Sequence, residues 1–219
     1  MIKNIIFDFD GVLVDSEVLV ARALSKYLSK RGIKFEEREF SKFAGNKTVE
    51  IVSKLSLLFN IKDKEVFFND LMSLSKDLYV NKLEPINGLN VFLNKVNHKK
   101  LIGSNNIKER IIEGLIKIGI KKFFISELIF SFDIVGVPKP KPDIYLKAVE
   151  DSGIKIHETI IIEDSAIGTI AGAKSGIKVI GLTAGSHWYS NRSEQELYEA
   201  GAYAVVKNYE DMLLLINKL

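Results

Sequence analysis

Asn4-Ile5-Ile6-Phe7-Asp8-Phe9-Asp10-Gly11-Val12-Leu13-Val14-Asp15 begins as a run of buried-strand character and stops abruptly in two carboxylates. Asn4-Ile5-Ile6-Phe7 shows no polar alternation, as expected of a strand covered on both faces in a parallel sheet. Runs of the same kind recur at Lys100-Leu101-Ile102-Gly103, Thr159-Ile160-Ile161-Ile162 and Lys178-Val179-Ile180-Gly181-Leu182, with a weaker one at Ala204-Val205-Val206. Between them lie helical patterns over 107–118, 142–152, 167–175 and 193–200, which end at Gly119, Gly153, Gly176 and Gly201. Glycine is the usual residue just past a helix end. Strands alternating with helices of this length predict an α/β fold, a Rossmann-like doubly wound parallel sheet.

One stretch departs from that rhythm. From Asp15 to Leu83 no strand pattern appears, and four amphipathic helices are expected near 17–30, 36–43, 48–59 and 64–80. Val49, Val52, Leu55 and Phe59 recur at helical spacing and read as a core-facing stripe. The Pro85 and Gly88 of Leu83-Glu84-Pro85-Ile86-Asn87-Gly88 suit the return of the chain to the main body. The expected organisation is an α/β core of residues 1–14 and 84–219, with an inserted all-helical cap domain over 15–83.

Bulk composition narrows the function classes. The chain has 219 residues, 47% hydrophobic, and a net charge of +3 without a long basic block. A nucleic-acid or membrane partner is therefore not expected, whereas a small anionic substrate suits the balance. There is no cysteine. That removes a disulfide scaffold, a thiolate zinc site and a cysteine nucleophile together. No run approaches the ~20 apolar residues that span a bilayer. The N-terminus does not read as a signal peptide, so the expected location is cytoplasmic.

Four polar clusters fall at expected strand ends, where open α/β sheets bind their ligands. Asp8 and Asp10 at i and i+2 repel each other unless a cation lies between them, and Mg2+ prefers such hard oxygen ligands. The alternative is a turn with solvated acids. Ser104-Asn105-Asn106 reads either as a phosphate-holding group or as a helix N-cap. Val137-Pro138-Lys139-Pro140-Lys141-Pro142-Asp143 is a stiff loop that either presents an ammonium to an anion or lies in solvent. Glu163-Asp164 ends a very apolar run, where acids are rarely left unpaired. His98 and His157 read as surface or strand-flanking residues. His187-Trp188-Tyr189 reads as a packed or exposed loop rather than the rim of a site.

In this order, the four motifs resemble those of the haloacid dehalogenase-like superfamily. The helical insert is similar to the cap of its β-phosphoglucomutase and sugar-phosphate phosphatase subfamily. The resemblance implies an aspartyl-phosphate mechanism on a small phosphorylated metabolite. Asp8 would be the nucleophile and Asp10 the general acid and base. Mg2+ would be held by Asp8, the Asp10 main-chain carbonyl and Asp164, with Glu163 contributing. Ser104, Asn105 and Lys139 would hold the phosphoryl group. A carboxylate at Asp10 argues against halide chemistry. Mutases of this type carry a histidine on the following helix, where this chain has Val20, so a phosphatase is expected and a phosphosugar mutase is the alternative. A noncatalytic phosphometabolite-binding protein ranks behind both. Asp15-Ser16-Glu17-Val18 and the stretch 45–51 are similar to bacterial sugar-phosphate phosphatases, 6-phosphogluconate phosphatase among them. Lys47, at a helix start, would reach an anionic substrate tail.

Overall fold

The computed structural model describes residues 1–43, 48–190 and 192–219. Its centre is one sheet of six parallel strands: β1 (Asn4–Phe7), β2 (Lys99–Ser104), β3 (Ile129–Ser131), β4 (Thr159–Glu163), β5 (Lys178–Leu182) and β6 (Ala204–Val206). The spatial order is β3-β2-β1-β4-β5-β6. The order reverses at β1, so the crevice beside its carboxyl end is the topological switch point. Register brings three strand ends to one level. Phe7 lies opposite Ile102 of β2 and Ile162 of β4, and the Asp8 amide donates to the Ile162 carbonyl at 3.0 Å.

The two faces of the sheet are buried separately because side chains alternate along a strand. Ile5 and Phe7 join one apolar cluster with Phe92, Leu93, Ile111 and Met212. They pack beneath α4 (Leu89–Lys95), α5 (Lys108–Lys117) and α10 (Tyr209–Ile216). Ile6 points into the other, with Leu101, Tyr145, Ile161 and Ala171 under α7 (Asp143–Ser152) and α8 (Ala166–Lys174). Each such side chain, fully buried, contributes about 1.5–3 kcal/mol relative to exposure. β3 was not expected from the sequence. Its three residues follow directly on a 3-10 turn over Ser126–Leu128 and run directly into a helical turn at Phe132, so no bounded strand pattern stands out.

Residues between Glu17 and Lys82 form α1 (Glu17–Ser29), a 3-10 segment (Glu37–Phe43), α2 (Thr48–Leu58) and α3 (Lys64–Lys82). They bury a core of their own, in which Tyr27 stacks on Phe67 with ring centroids 4.3 Å apart. Asp63 caps α3, its carboxylate accepting from the Val66 amide at 2.9 Å. Such a cap is worth ~1 kcal/mol. Two expectations change here. The segment over 36–43 is 3-10 rather than α-helical, and Val49 is 56% exposed. The buried face of α2 runs through Ile51, Val52 and Leu55, and Val49 sits at its margin in the first turn. The chain leaves the sheet and returns to it side by side: the Asp15 amide donates to Glu84 O at 2.9 Å and the Ile86 amide to Leu13 O at 3.1 Å. No helix among the described residues is long and apolar enough to cross a membrane.

Candidate active site

The carboxyl ends of β1, β2 and β4 place Asp8, Ser104, Glu163 and Asp164 around one crevice, and the loop before α7 adds Lys139. Asp8 follows β1 directly, and the chain then turns through Gly11 at φ +75°, a conformation natural to glycine. The turn also makes space. A Cβ at Gly11 would stand 1.9 Å from Asp164 Oδ2, so the missing side chain is what lets the β1 and β4 acids approach.

Lys139 is the cationic centre of the crevice. Its side chain is 3% exposed, and Nζ donates to Asp8 Oδ1 at 2.7 Å and to Glu163 Oε1 at 2.6 Å. Lys141, the other lysine of that loop, is exposed. Asn105 fixes the loop from the β2 side, accepting from the Lys139 amide at 2.8 Å. Glu163 is wholly buried and its oxygens are well occupied. Oε1 also accepts from Tyr145 OH at 2.9 Å, while Oε2 accepts from the Asp164 amide and from the amide and hydroxyl of Ser165. Gly168, in the first turn of α8, leaves room for this carboxylate; a Cβ there would fall 1.7 Å from Oε1. Ser104 is buried and its Oγ accepts from the Asn106 amide at 3.1 Å. The N-cap of α5 is Ile107, so neither Ser104 nor Asn105 holds that position.

Asp10 stands apart from the acid cluster. Its Oδ1 accepts from Ser16 Oγ and its Oδ2 from Asn106 Nδ2, both at 2.6 Å. The buried ligand atoms that lie within 4.8 Å of one another belong to Asp8, Glu163 and Asp164. Lys47 lies outside the described residues.

The electrostatics show what this cluster can hold. Burial pushes the Asp8 carboxyl well above the ordinary range; Lys139 opposes it, while Glu163, Asp164 and Asp10 push it further. Asp164 is raised in the same way by burial and Glu163, against Arg192 and Lys139. Burial works against the Lys139 charge, yet Asp8 and Glu163 together hold its pKa above that of a free lysine. Three buried carboxylates face one ammonium here. A divalent cation with hard-oxygen preference is the group that such a donor set fits.

Further residues complete the crevice, and for His187 the site-rim alternative is the one the structure supports. His187, expected in a packed or exposed loop, is buried, and its Nε2 lies 2.8 Å from Asp164 Oδ2. Burial, with Glu17 opposing, lowers its pKa to about 4, so the imidazole is neutral. The same cleft, of about 250 Å³, is lined by Glu17, Arg192 and the aromatic rings of Phe40 and Phe43. Arg192 is held by Glu196 through Nε at 2.9 Å and by the Trp188 ring 3.7 Å from its Cζ. Nothing in the local pattern marks Phe40, Phe43 or Arg192, because they meet the crevice only through the fold.

Residues 5–182 match the family described as haloacid dehalogenase-like hydrolase. The chain belongs to this family. It is similar to the 6-phosphogluconate phosphatase of Escherichia coli (strain K12), with 27% identity over 192 residues, covering 85% of each chain. A phosphorylated carbohydrates phosphatase of Thermotoga maritima is 28% identical over 218 residues, 97% of this chain and 98% of that one. Among solved structures, a haloacid dehalogenase-like protein from Agrobacterium tumefaciens superposes with a TM-score of 0.91 at 29% identity, over 100% of this chain and 99% of that one.

Proposed function

We propose that this hydrolase is a magnesium-dependent phosphatase that releases phosphate from a small phosphorylated metabolite, a sugar or sugar-acid phosphate. The observation that carries this reading is the pairing at β1. Asp8 is poised by a buried ammonium, and Asp10, two residues on, is held separately by Ser16 and Asn106.

In this reading an Asp8 oxygen attacks phosphorus, and the bond from phosphorus to the leaving oxygen breaks. Asp10 gives its proton to that oxygen, then takes one from the water that attacks the aspartyl-phosphate. Lys139 offsets charge on Asp8 and on the transferring group, and Glu163 holds Lys139 in place. Ser104 and Asn105 line the cleft where the phosphoryl oxygens would lie. Asp8, the Asp10 main-chain carbonyl and Asp164, with Glu163 contributing, would hold Mg2+, which when bound screens the repulsion between nucleophile and substrate. Phosphoryl transfer depends mostly on such positioning and charge stabilisation. The helices of residues 17–82 act as the cap; its Glu17, Phe40 and Phe43, with Arg192 from the segment after β5, line the part of the cleft that would receive the leaving group. The names of the two phosphatase relatives support the substrate class.

The test is phosphate release from a panel of phosphorylated metabolites, in Mg2+ and in chelator. Asp8→Asn is expected to fold normally and to lose turnover. Near-normal turnover by that variant overturns the mechanism, and full activity in excess chelator overturns the metal assignment. Isomerised product without free phosphate would instead identify a mutase.

A further inference from the structure

Asp15 closes the first motif, yet the chemistry above leaves it without a task, as it does His187. The two are joined. Ser186, next to His187, donates its amide to Asp15 Oδ1 at 3.0 Å. Asp15 is itself pinned by its amide to Glu84 O, where the chain leaves and re-enters the sheet domain. The turn is tightened by the Trp188 amide bonding to Gly185 O at 2.9 Å. A continuous path therefore runs from the stem of the helical segment, through Asp15 and the Gly185-Ser186-His187 turn, to Asp164.

We propose that Asp15 and His187 are positioning residues that orient Asp164 to receive the divalent cation. This rests on the reading of Asp8 and Asp164 as cation ligands. His187 Nε2 lies 2.8 Å from Asp164 Oδ2, in direct contact with the carboxylate. With Oδ2 engaged at 2.8 Å, the carboxylate cannot rotate freely, and its orientation is set before any ion arrives. Nδ1 of the same ring is buried without a hydrogen-bond partner. Nε2, which faces Asp164, is therefore the ring nitrogen with an acceptor in reach. Two glycines make this contact possible. A Cβ at Gly185 would come within 2.5 Å of His187 Cε1, and one at Gly11 within 3.0 Å of the same atom. A ring admitted by two absent side chains, with one nitrogen 2.8 Å from Asp164 Oδ2, is arranged as an outer support for that acid. Outer supports of this kind align a ligand and typically change metal affinity by about 10–100-fold when removed.

The experiment measures Mn2+ binding to the full chain by electron paramagnetic resonance, alongside circular dichroism and thermal melting. His187→Phe keeps an aromatic ring and removes the N–H; it is expected to weaken Mn2+ binding by about 10–100-fold. His187→Gln places an amide N–H near the Nε2 position and is expected to restore most of the affinity. Asp15→Ala is expected to weaken binding in the same direction, whereas Asp15→Asn, which keeps Oδ1, binds as wild type does. Asp164→Asn is the reference for losing the ligand itself. Wild-type affinity in a folded His187→Phe variant, with binding lost in Asp164→Asn, overturns the role of His187. Should the phenyl ring not fold in place, His187→Leu carries the same two outcomes. Wild-type affinity in Asp15→Ala overturns the part assigned to Asp15. Undiminished binding in Asp164→Asn overturns the cation reading itself, and this inference with it.

Discussion

Replacing Lys139 by methionine should destabilise the protein strongly, by an amount that depends on pH and metal. The methionine keeps an unbranched stem of similar length and removes the ammonium. In the native crevice that ammonium sits 2.7 Å from Asp8 Oδ1 and 2.6 Å from Glu163 Oε1, with its side chain 3% exposed. Taking one partner from a buried ion pair costs about 3–5 kcal/mol, mostly because the other partner is left desolvated. For a chain of this length about 2–4 °C accompanies each kcal/mol, so the midpoint should fall by about 6–20 °C at pH 7 in chelator. The loss should shrink at lower pH, because the stranded carboxyls then take up protons, and in Mg2+, because a cation replaces the missing charge. Adding Glu163→Gln to the Lys139→Met chain removes one stranded charge and should recover part of the midpoint. Scanning calorimetry on the four combinations, at pH 5 and pH 7, measures each term. A Lys139→Met protein that melts with wild type at pH 7 in chelator would refute the claim that this lysine neutralises the buried acids.

Gly11→Ala should lose metal affinity as well as stability. Its Cβ would overlap Asp164 Oδ2 and the left-handed backbone adds about 1–2 kcal/mol of strain, so wild-type Mn2+ binding by this variant would count against the packing argument. Glu17→Gln should change how stability varies with pH. Burial raises the Glu17 carboxyl from 4.5 to about 7, with His187 opposing and Asp10 and Asp164 adding to it. The folded state then holds a proton that the unfolded state has released, so the wild-type contribution is complete below pH 4.5 and is lost as pH rises through 7. Urea unfolding at pH 5 and pH 8 should show the glutamine variant gaining on wild type by about 1–3 kcal/mol at the higher pH. A difference that does not vary with pH would refute the assignment.

The α/β class, five of the six strands and the helical character of residues 17–82 are legible in the sequence because they depend on local periodicity. A run such as Ile160-Ile161-Ile162 needs no partner to reveal that both its faces are covered. The polar strand ends are legible for the same reason. Asp8, Ser104, Glu163 and Asp164 each follow an apolar run that has to stop, and it is the order of the motifs, with the family they resemble, that joins them into one site. Lys139 is legible as a residue in a stiff loop, while its selection over Lys141 in the structure depends on which side chain turns inward.

What only the tertiary structure decides is how these pieces meet. The parallel register that levels Phe7 with Ile102 and Ile162 turns separate strand ends into one crevice. It also divides the acids: Asp10 is drawn away to Ser16 and Asn106, while Glu163 holds Lys139 beside Asp8. Glu17 reaches the crevice from the start of α1, and His187 and Arg192 from the segment after β5; no periodicity encodes a contact between residues 164 and 187. Local sequence specifies which way a side chain faces on its own element. The packing of one element against another decides what it faces.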